Sequence, residues 1–232
     1  MPLSVTRLDQ GEFAWSITVD PDQPRDASAT DRIRAVLDQA DAGTQVQLWI
    51  ERARDDDDRF AGDLGFRPYR DLWRMQRPLP TDRSPIATRA FVPGADDQEF
   101  LRVNNRAFHW HPEQGGMTPE GLAARMAEDW FDAEGFRLHE RNGRLAGFCW
   151  TKVHPDERPP GGEIYAIAVD PDFHGQGLGK PMTLAGLDHL SDAGLTVGFL
   201  YVESDNHPAV ATYRALGFHH HATNRAYRWS VP

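Results

Sequence analysis

Apolar side chains recur along this chain at two different spacings, and the places where the spacing changes mark the secondary structure. Residues Ile86 to Val92 alternate like a short strand, whereas Asp96 to Trp110 carry Phe100, Leu101, Val103, Ala107 and Phe108 three or four apart, as on one face of a helix. A second helix begins at Thr118-Pro119-Glu120, a capping residue followed by proline at the first helical position, with Leu122, Ala123, Met126 and Trp130 on one side. Phe136 to Arg141 and Arg144 to Val153 alternate on either side of Asn142-Gly143. That dipeptide readily adopts the two positive φ angles of a tight turn, so the pair predicts a hairpin. Glu163 to Val169 is the next strand. A glycine loop and helix (Gly175 to Ala193), a buried strand (Val197 to Glu203), a helix (Pro208 to Leu216) and a last strand (Phe218 to Trp229) complete the run. Strands and helices in the order β-α-α-β-β-β-α-β-α-β predict an α/β fold: a mixed, twisted sheet with helices on both faces.

The chain also repeats itself. Thr18-Val19-Asp20-Pro21 resembles Ala168-Val169-Asp170-Pro171 at an offset of 150, Asp41-Ala42-Gly43 matches Asp192-Ala193-Gly194 at 151, and Leu64-Gly65-Phe66 matches Leu216-Gly217-Phe218 at 152. Between these anchors both halves read as strand, helix, strand, helix and strand; Asp31 to Ala40 is the first helix of the N-terminal half and Val46 to Arg52 the strand after it. The N-terminal copy starts near the middle of the unit, and we read residues 1–80 as a degenerate half-copy. Residues 81–85 are the linker, in a stretch from Arg77 to Ser84 and Pro85 interrupted by three prolines, and residues 86–232 are the complete copy.

With 35 acidic and 25 basic residues the formal charge is −10, and no cluster of Lys and Arg is present to meet a polyanion, so nucleic acid is an unsuitable partner. No apolar run reaches the roughly 20 residues needed to span a bilayer, and the first ten residues lack a signal-peptide layout; the expectation is a cytoplasmic protein with no membrane partner. A single cysteine, Cys149, can form neither an internal disulfide nor a thiolate cluster. His219, His220 and His221 are consecutive, so alternate strand faces receive them, and no metal is expected. Asp55 to Asp58 reads as a solvated loop, and a monomer is favoured.

The chemistry gathers in the second half. Val169-Asp170-Pro171 leads into His174-Gly175-Gln176-Gly177-Leu178-Gly179-Lys180, a strand that ends in a glycine-rich turn opening a helix. Such a turn offers several backbone N–H groups and the positive end of a helix dipole, which suits a pyrophosphate. Three glycines alone are also what an ordinary tight turn needs. The spacing fits neither the dinucleotide fingerprint nor a P-loop, which requires Gly-Lys-Ser/Thr. Downstream stands Asn206-His207-Pro208-Ala209-Val210-Ala211-Thr212-Tyr213-Arg214-Ala215-Leu216-Gly217-Phe218.

The Val-Asp-Pro strand, the Gly-x-Gly-x-Gly turn and that downstream segment resemble the GNAT superfamily of N-acetyltransferases over roughly residues 86–232. Residues 100–108 (Phe100 to Phe108), His111-Pro112-Glu113-Gln114-Gly115-Gly116, Trp150-Thr151-Lys152-Val153-His154-Pro155 and residues 200–206 lie outside the general motif and are similar to the mycothiol synthase family of tandem GNAT enzymes. The resemblance implies acetyl transfer from acetyl-CoA to the cysteinyl amine of Cys-GlcN-Ins. Carried over position by position, Ile167, Ala168 and Val169 would pair with the pantetheine arm, and His174, Gly175, Gln176, Gly177, Leu178, Gly179 and Lys180 would cradle the pyrophosphate. Asn206, His207, Pro208, Ala209, Val210 and Ala211 would touch the cosubstrate further along. Glu113, Lys152, Glu163 and Tyr201 would face the amine substrate. One departure is His174, where the superfamily usually carries Arg or Gln.

Attack of an amine on a thioester needs a base for the ammonium proton and an acid for the departing thiolate. Glu163, acting through water, is the candidate base and Tyr213 the candidate acid, with a backbone N–H near Val169 polarising the thioester oxygen. Read apart from the resemblance, Glu163 is equally a solvated strand end and Tyr213 a residue packing on the sheet. In the N-terminal copy the glycine turn is replaced by Asp22 to Asp31, which contains no glycine, so that half is expected to be a structural remnant that holds no cosubstrate.

Overall fold

A computed structural model describes residues 3–8, 12–41, 43–109 and 115–230. In chain order the elements are β1 (Leu3–Arg7), β2 (Trp15–Val19), α1 (Ala27–Leu37), β3 (Gln45–Ile50), α2 (Asp57–Asp63), β4 (Arg67–Pro78), β5 (Arg89–Ala90), α3 (Asp97–Ala107) and α4 (Pro119–Met126). They continue with β6 (Phe136–Arg141), β7 (Arg144–His154), β8 (Gly161–Val169), a 3-10 turn at Pro171–Phe173, α5 (Gly179–Asp192), β9 (Val197–Glu203), α6 (His207–Ala215) and β10 (His219–Ser230). The chain divides into two compact units that do not follow sequence order: residues 1–74, 202–210 and 220–232 form the first, and residues 75–201 and 211–219 the second.

In the first unit the strands lie in the order β1-β2-β3-β10-β4. β2 pairs with β3 in parallel from Trp15↔Val46 to Val19↔Ile50, and β10 closes antiparallel on β3 from Arg225↔Ile50 to Ser230↔Gln45. Strict alternation in β3 sends Val46, Leu48 and Ile50 inward, where they meet Ile33 and Val36 of α1 and the fully buried Tyr227 of β10. Asp26 caps α1 by accepting from Ala29 N at 3.0 Å. The expected solvated loop at Asp55 to Asp58 is instead where α2 starts, and two of its carboxylates are spoken for. Asp57 is buried and accepts from Arg25 Nε and Arg54 N, both at 2.8 Å. Asp58 accepts from the Tyr227 hydroxyl at 2.8 Å and from Arg225 at 3.0 Å. A run of like charges reads as solvated only until its partners, distant in sequence, are folded against it.

The second unit carries the strands β9-β8-β7-β6-β5. The hairpin turns at Asn142 (φ 53°) and Gly143 (φ 69°), as the dipeptide predicts. The strand expected over Ile86 to Val92 shrinks to Arg89–Ala90: before it Ala87 O and Thr88 O accept from the His139 and Arg137 side chains, and after it Phe91 N donates to Phe136 O at 2.9 Å while its ring stacks on Phe136 with centroids 4.4 Å apart. Phe100 of α3 meets Phe136 and Phe148 edge-on, each at 4.9 Å, and Phe136 stacks on Trp150 at 4.5 Å, so aromatic surface glues α3 to one face of the sheet, and Leu122 of α4 joins the same cluster. On the opposite face α5 comes very close. A Cβ at Gly186 would lie 2.4 Å from Cys149 Sγ and 2.7 Å from Ile164 Cδ1, a separation only glycine permits. Burial there pushes the Cys149 thiol up to about 12, so it stays protonated and unreactive.

Candidate functional site

β7 and β8 are antiparallel, with Lys152 opposite Glu163 and His154 opposite Gly161. Residues directly opposite share a face, and i and i+2 on one strand do too, so Lys152, His154 and Glu163 project together. The register shifts between Trp150 and Thr151, where Trp150 faces Ala166 and Thr151 faces Ile164, leaving Tyr165 as the extra residue of a bulge. Glu163 is 8% exposed, and its Oε2 lies 2.6 Å from His154 Nε2. Because a carboxylate only accepts, the imidazole N–H donates. The Lys152 ammonium sits 4.6 Å above the Trp130 ring and 5.9 Å from that of Tyr165, an arrangement in which two aromatic faces hold a cation.

β9 runs parallel beside β8 from Gly161↔Val197 to Ile164↔Leu200, placing Phe199 next to Glu163. Phe199 is fully buried; its ring lies 5.2 Å from His154 and 6.0 Å, edge-on, from exposed Tyr201. The ladder ends at Ile164, and residues 165–169 continue beyond it. Ile167, Ala168 and Val169 occupy that extension and pair on their other edge with Cys149, Phe148 and Gly147 of β7.

The strand delivers the chain into the glycine turn. Gly175 and Gly177 both have φ 74°, the left-handed region, and an added Cβ at Gly175, Gly177 or Gly179 would meet open space. Leu178, only 3% exposed, packs with Phe173 and Ala146 and anchors the turn from beneath. No side chain caps the N-terminus of α5, so its first N–H groups point outward next to the turn. His174 folds back, its Nε2–H donating to Val169 O at 2.9 Å, while Gln176 Oε1 accepts from Arg141 at 2.9 Å. Lys180 is exposed at the second position of α5.

Beneath the turn a buried carboxylate sets the geometry. Asp170, fully buried, accepts from Arg102 at 2.8 Å, from Arg106 at 3.0 Å and from Asp172 N at 2.9 Å. Asp172 in turn binds Arg106 at 2.7 Å and Arg144 at 2.6 Å, and hydrogen bonds from Arg106 and Arg144 hold its carboxyl far below the usual range. Helix α3 is thereby tied to the end of β8.

α6 starts with Asn206 Oδ1 accepting from Ala209 N at 3.2 Å, so Asn206 serves as a helix cap. Tyr213 is half-buried, its ring 5.8 Å from Phe218, and burial together with the neighbouring Cys149 holds its hydroxyl well above the ordinary tyrosine value. The phenol therefore keeps its proton at neutral pH. Among the expected site residues, Lys152, Glu163 and Tyr201 stand along one face of β7, β8 and β9, and the glycine turn stands at the end of β8. Asn206 to Val210 belong to the first unit, Ala211 and Tyr213 to the second. Glu113 lies outside the described residues. The sequence pattern did not point to His154, Trp130, Tyr165 or Asp170 for these roles. His154 and Asp170 do stand inside the motifs, and the alternation of β7 puts His154 on the face of Lys152, which is the signal that could have found it. Among the described residues no group of three or more His, Cys, Asp or Glu side chains is arranged to hold a metal ion.

A strand that outruns its parallel neighbour and enters a left-handed glycine turn before a helix marks a class, and the model of the acetyltransferase (GNAT) family matches residues 101–218. The chain belongs to the GNAT family of acetyltransferases. Within that family it is similar to the mycothiol acetyltransferases of Nocardia farcinica (47% identical, covering 77% of this chain and 62% of the relative), Actinosynnema mirum (44%, 90% and 72%) and Streptomyces coelicolor (45%, 82% and 63%). It thus spans about two thirds of the length of these relatives. Two solved structures share the fold. A GCN5-related N-acetyltransferase from Sphaerobacter thermophilus has a TM-score of 0.70 at 21% identity, covering 98% of this chain and 76% of that one. A tandem GNAT protein from the clavulanic acid biosynthesis pathway has 0.64 at 16%, covering 92% and 74%.

Proposed function

We propose that this protein is an acetyl-CoA-dependent N-acetyltransferase that acetylates the cysteinyl amine of Cys-GlcN-Ins, giving mycothiol and CoA. The observation that carries this reading is the buried carboxylate of Glu163 on the face it shares with Lys152 and Tyr201, one strand-length from the glycine turn. The likeness to mycothiol acetyltransferases supplies the substrate.

In this reading the turn and the N-terminus of α5 receive the pyrophosphate through backbone N–H groups, and the edge of residues 165–168, beyond the β9 ladder, receives the amide groups of the pantetheine arm. Glu163 takes a proton from the substrate ammonium, directly or through one water. The free amine adds to the thioester carbonyl, whose oxygen is polarised by a backbone N–H near Val169, and the C–S bond breaks as the tetrahedral intermediate collapses. Tyr213 gives its proton to the departing thiolate. No enzyme-bound acyl group is formed, in keeping with a Cys149 that is buried and protonated. Residues 1–80 are read as a degenerate copy of the same unit, which supports the second copy without a cosubstrate of its own. Among the described residues no helix is long and apolar enough to cross a membrane; a cytoplasmic location is part of the proposal.

The deciding experiment is thiol release from acetyl-CoA by the purified chain, with Cys-GlcN-Ins beside a panel of ordinary amines. Saturable release with the cysteinyl sugar is the expected result. Release only with other amines would move the substrate, and tight acetyl-CoA binding without turnover on any amine would reduce the protein to a binder.

A further inference from the structure

Glu163 has one carboxylate oxygen already engaged. His154 Nε2 lies 2.6 Å from Oε2, and the imidazole itself is held in place from two sides. Phe199 packs against it with ring centroids 5.2 Å apart, and Gly161 stands opposite His154 in the ladder. A Cβ on Gly161 would come within 2.8 Å of Phe199 Cε1, so the glycine makes room for the ring that braces the imidazole. A histidine that merely decorated a strand end would need neither the glycine nor the buried phenylalanine.

We infer that His154 is a positioning residue for Glu163: its Nε2–H binds Oε2, orients the carboxylate and leaves Oε1 to receive the ammonium proton of the substrate. This rests on the reading of Glu163 as the general base. His154 is itself partly exposed, with a side-chain exposure of 28% against 11% for Glu163. Among the described residues, the other titratable groups around the pair are Lys152, opposite Glu163 and drawn onto Trp130; Tyr165, beside that ammonium; and Glu157, whose Oε2 lies over Gly161.

Two measurements on the intact chain test the assignment. The first follows the His154 Nε2–H by NMR at fixed pH, without substrate. Glu163→Ala removes the acceptor, and the signal, deshielded and slow to exchange while hydrogen-bonded, is expected to move upfield or vanish; a signal that does not respond would mean the pair does not exist in solution and would overturn the proposal. The second compares kcat and KM. His154→Ala should lower kcat about tenfold with KM for acetyl-CoA within twofold, whereas His154→Gln, whose amide N–H can reach the same oxygen, should largely restore kcat. An unchanged kcat in His154→Ala would overturn the role. Should the alanine variant not fold, His154→Leu, which fills the space against Phe199 but donates no proton, takes its place, and the same two outcomes decide. Full activity in Glu163→Gln would remove the base, and the positioning role with it. The NMR signal of the Nε2–H would then still report whether the hydrogen bond exists, so the two failures are told apart.

Discussion

At the scale of single residues, Tyr213 and Gly177 make separable claims. Burial keeps the Tyr213 phenol protonated, the state a proton donor requires, so Tyr213→Phe should lower kcat on the order of a hundredfold while leaving acetyl-CoA affinity within twofold in a direct binding titration. Equal turnover would leave the ring a packing partner of Phe218 and nothing more. Gly177 carries φ 74° with free space above it, so Gly177→Val combines backbone strain with a branched side chain on the turn's outer surface; acetyl-CoA should bind about tenfold more weakly or worse, with overall melting little changed. The shared face of Glu163, Lys152 and Tyr201 was legible, because each stands on a strand whose alternation fixes the side it takes. His154 and Asp170 lie in the same motifs, yet their partners could not be read there. Each acts through a group on another strand or helix, and no local spacing records which of several arginines folds against a given aspartate.

At the scale of elements, α3 and the end of β8 are joined by one buried anion. Asp170→Ala would strip Arg102 and Arg106 of their shared acceptor and leave the Asp172 N–H unpaired, at an expected cost of about 2 kcal/mol in urea unfolding, with only a small change for Asp172→Ala at the surface. Equal losses would mean that the exposed part of the network does the joining. The element order itself followed from periodicity: hairpin, glycine turn and the β-α-β-α-β run were each anticipated within a few residues. Two features were not. The segment from Ile86 to Val92 alternates like a strand, but Ala87 O and Thr88 O are taken by the side chains of His139 and Arg137, and two residues of ladder remain. The acidic run at Asp55 to Asp58 became a helix start, because Arg25, Arg225 and Tyr227, far away in sequence, supply its partners.

For the whole molecule, arginine–carboxylate pairs set the pH response. Arg89 holds Asp96 and Arg102 holds Glu99 below their ordinary values. Depressed carboxylates contribute stability that is fully present above the unfolded-state value near 4 and disappears as the pH falls through the lower folded-state values. The urea midpoint should therefore be level above about pH 5 and decline steadily below about pH 4; a midpoint that rises on acidification would contradict the assignment.

β10 completes the core of the unit that holds β1, β2 and β3: Tyr227 is buried among Ile17, Leu48 and Ile50, and β10 closes the ladder on β3. On the ribosome that early segment must therefore wait. Its hydrophobic interior stays open through the synthesis of everything between, and it can seal only once β10 has left the exit tunnel. Nascent chains stalled before β10 should accordingly leave the N-terminal half open to protease, with protection arriving late and abruptly.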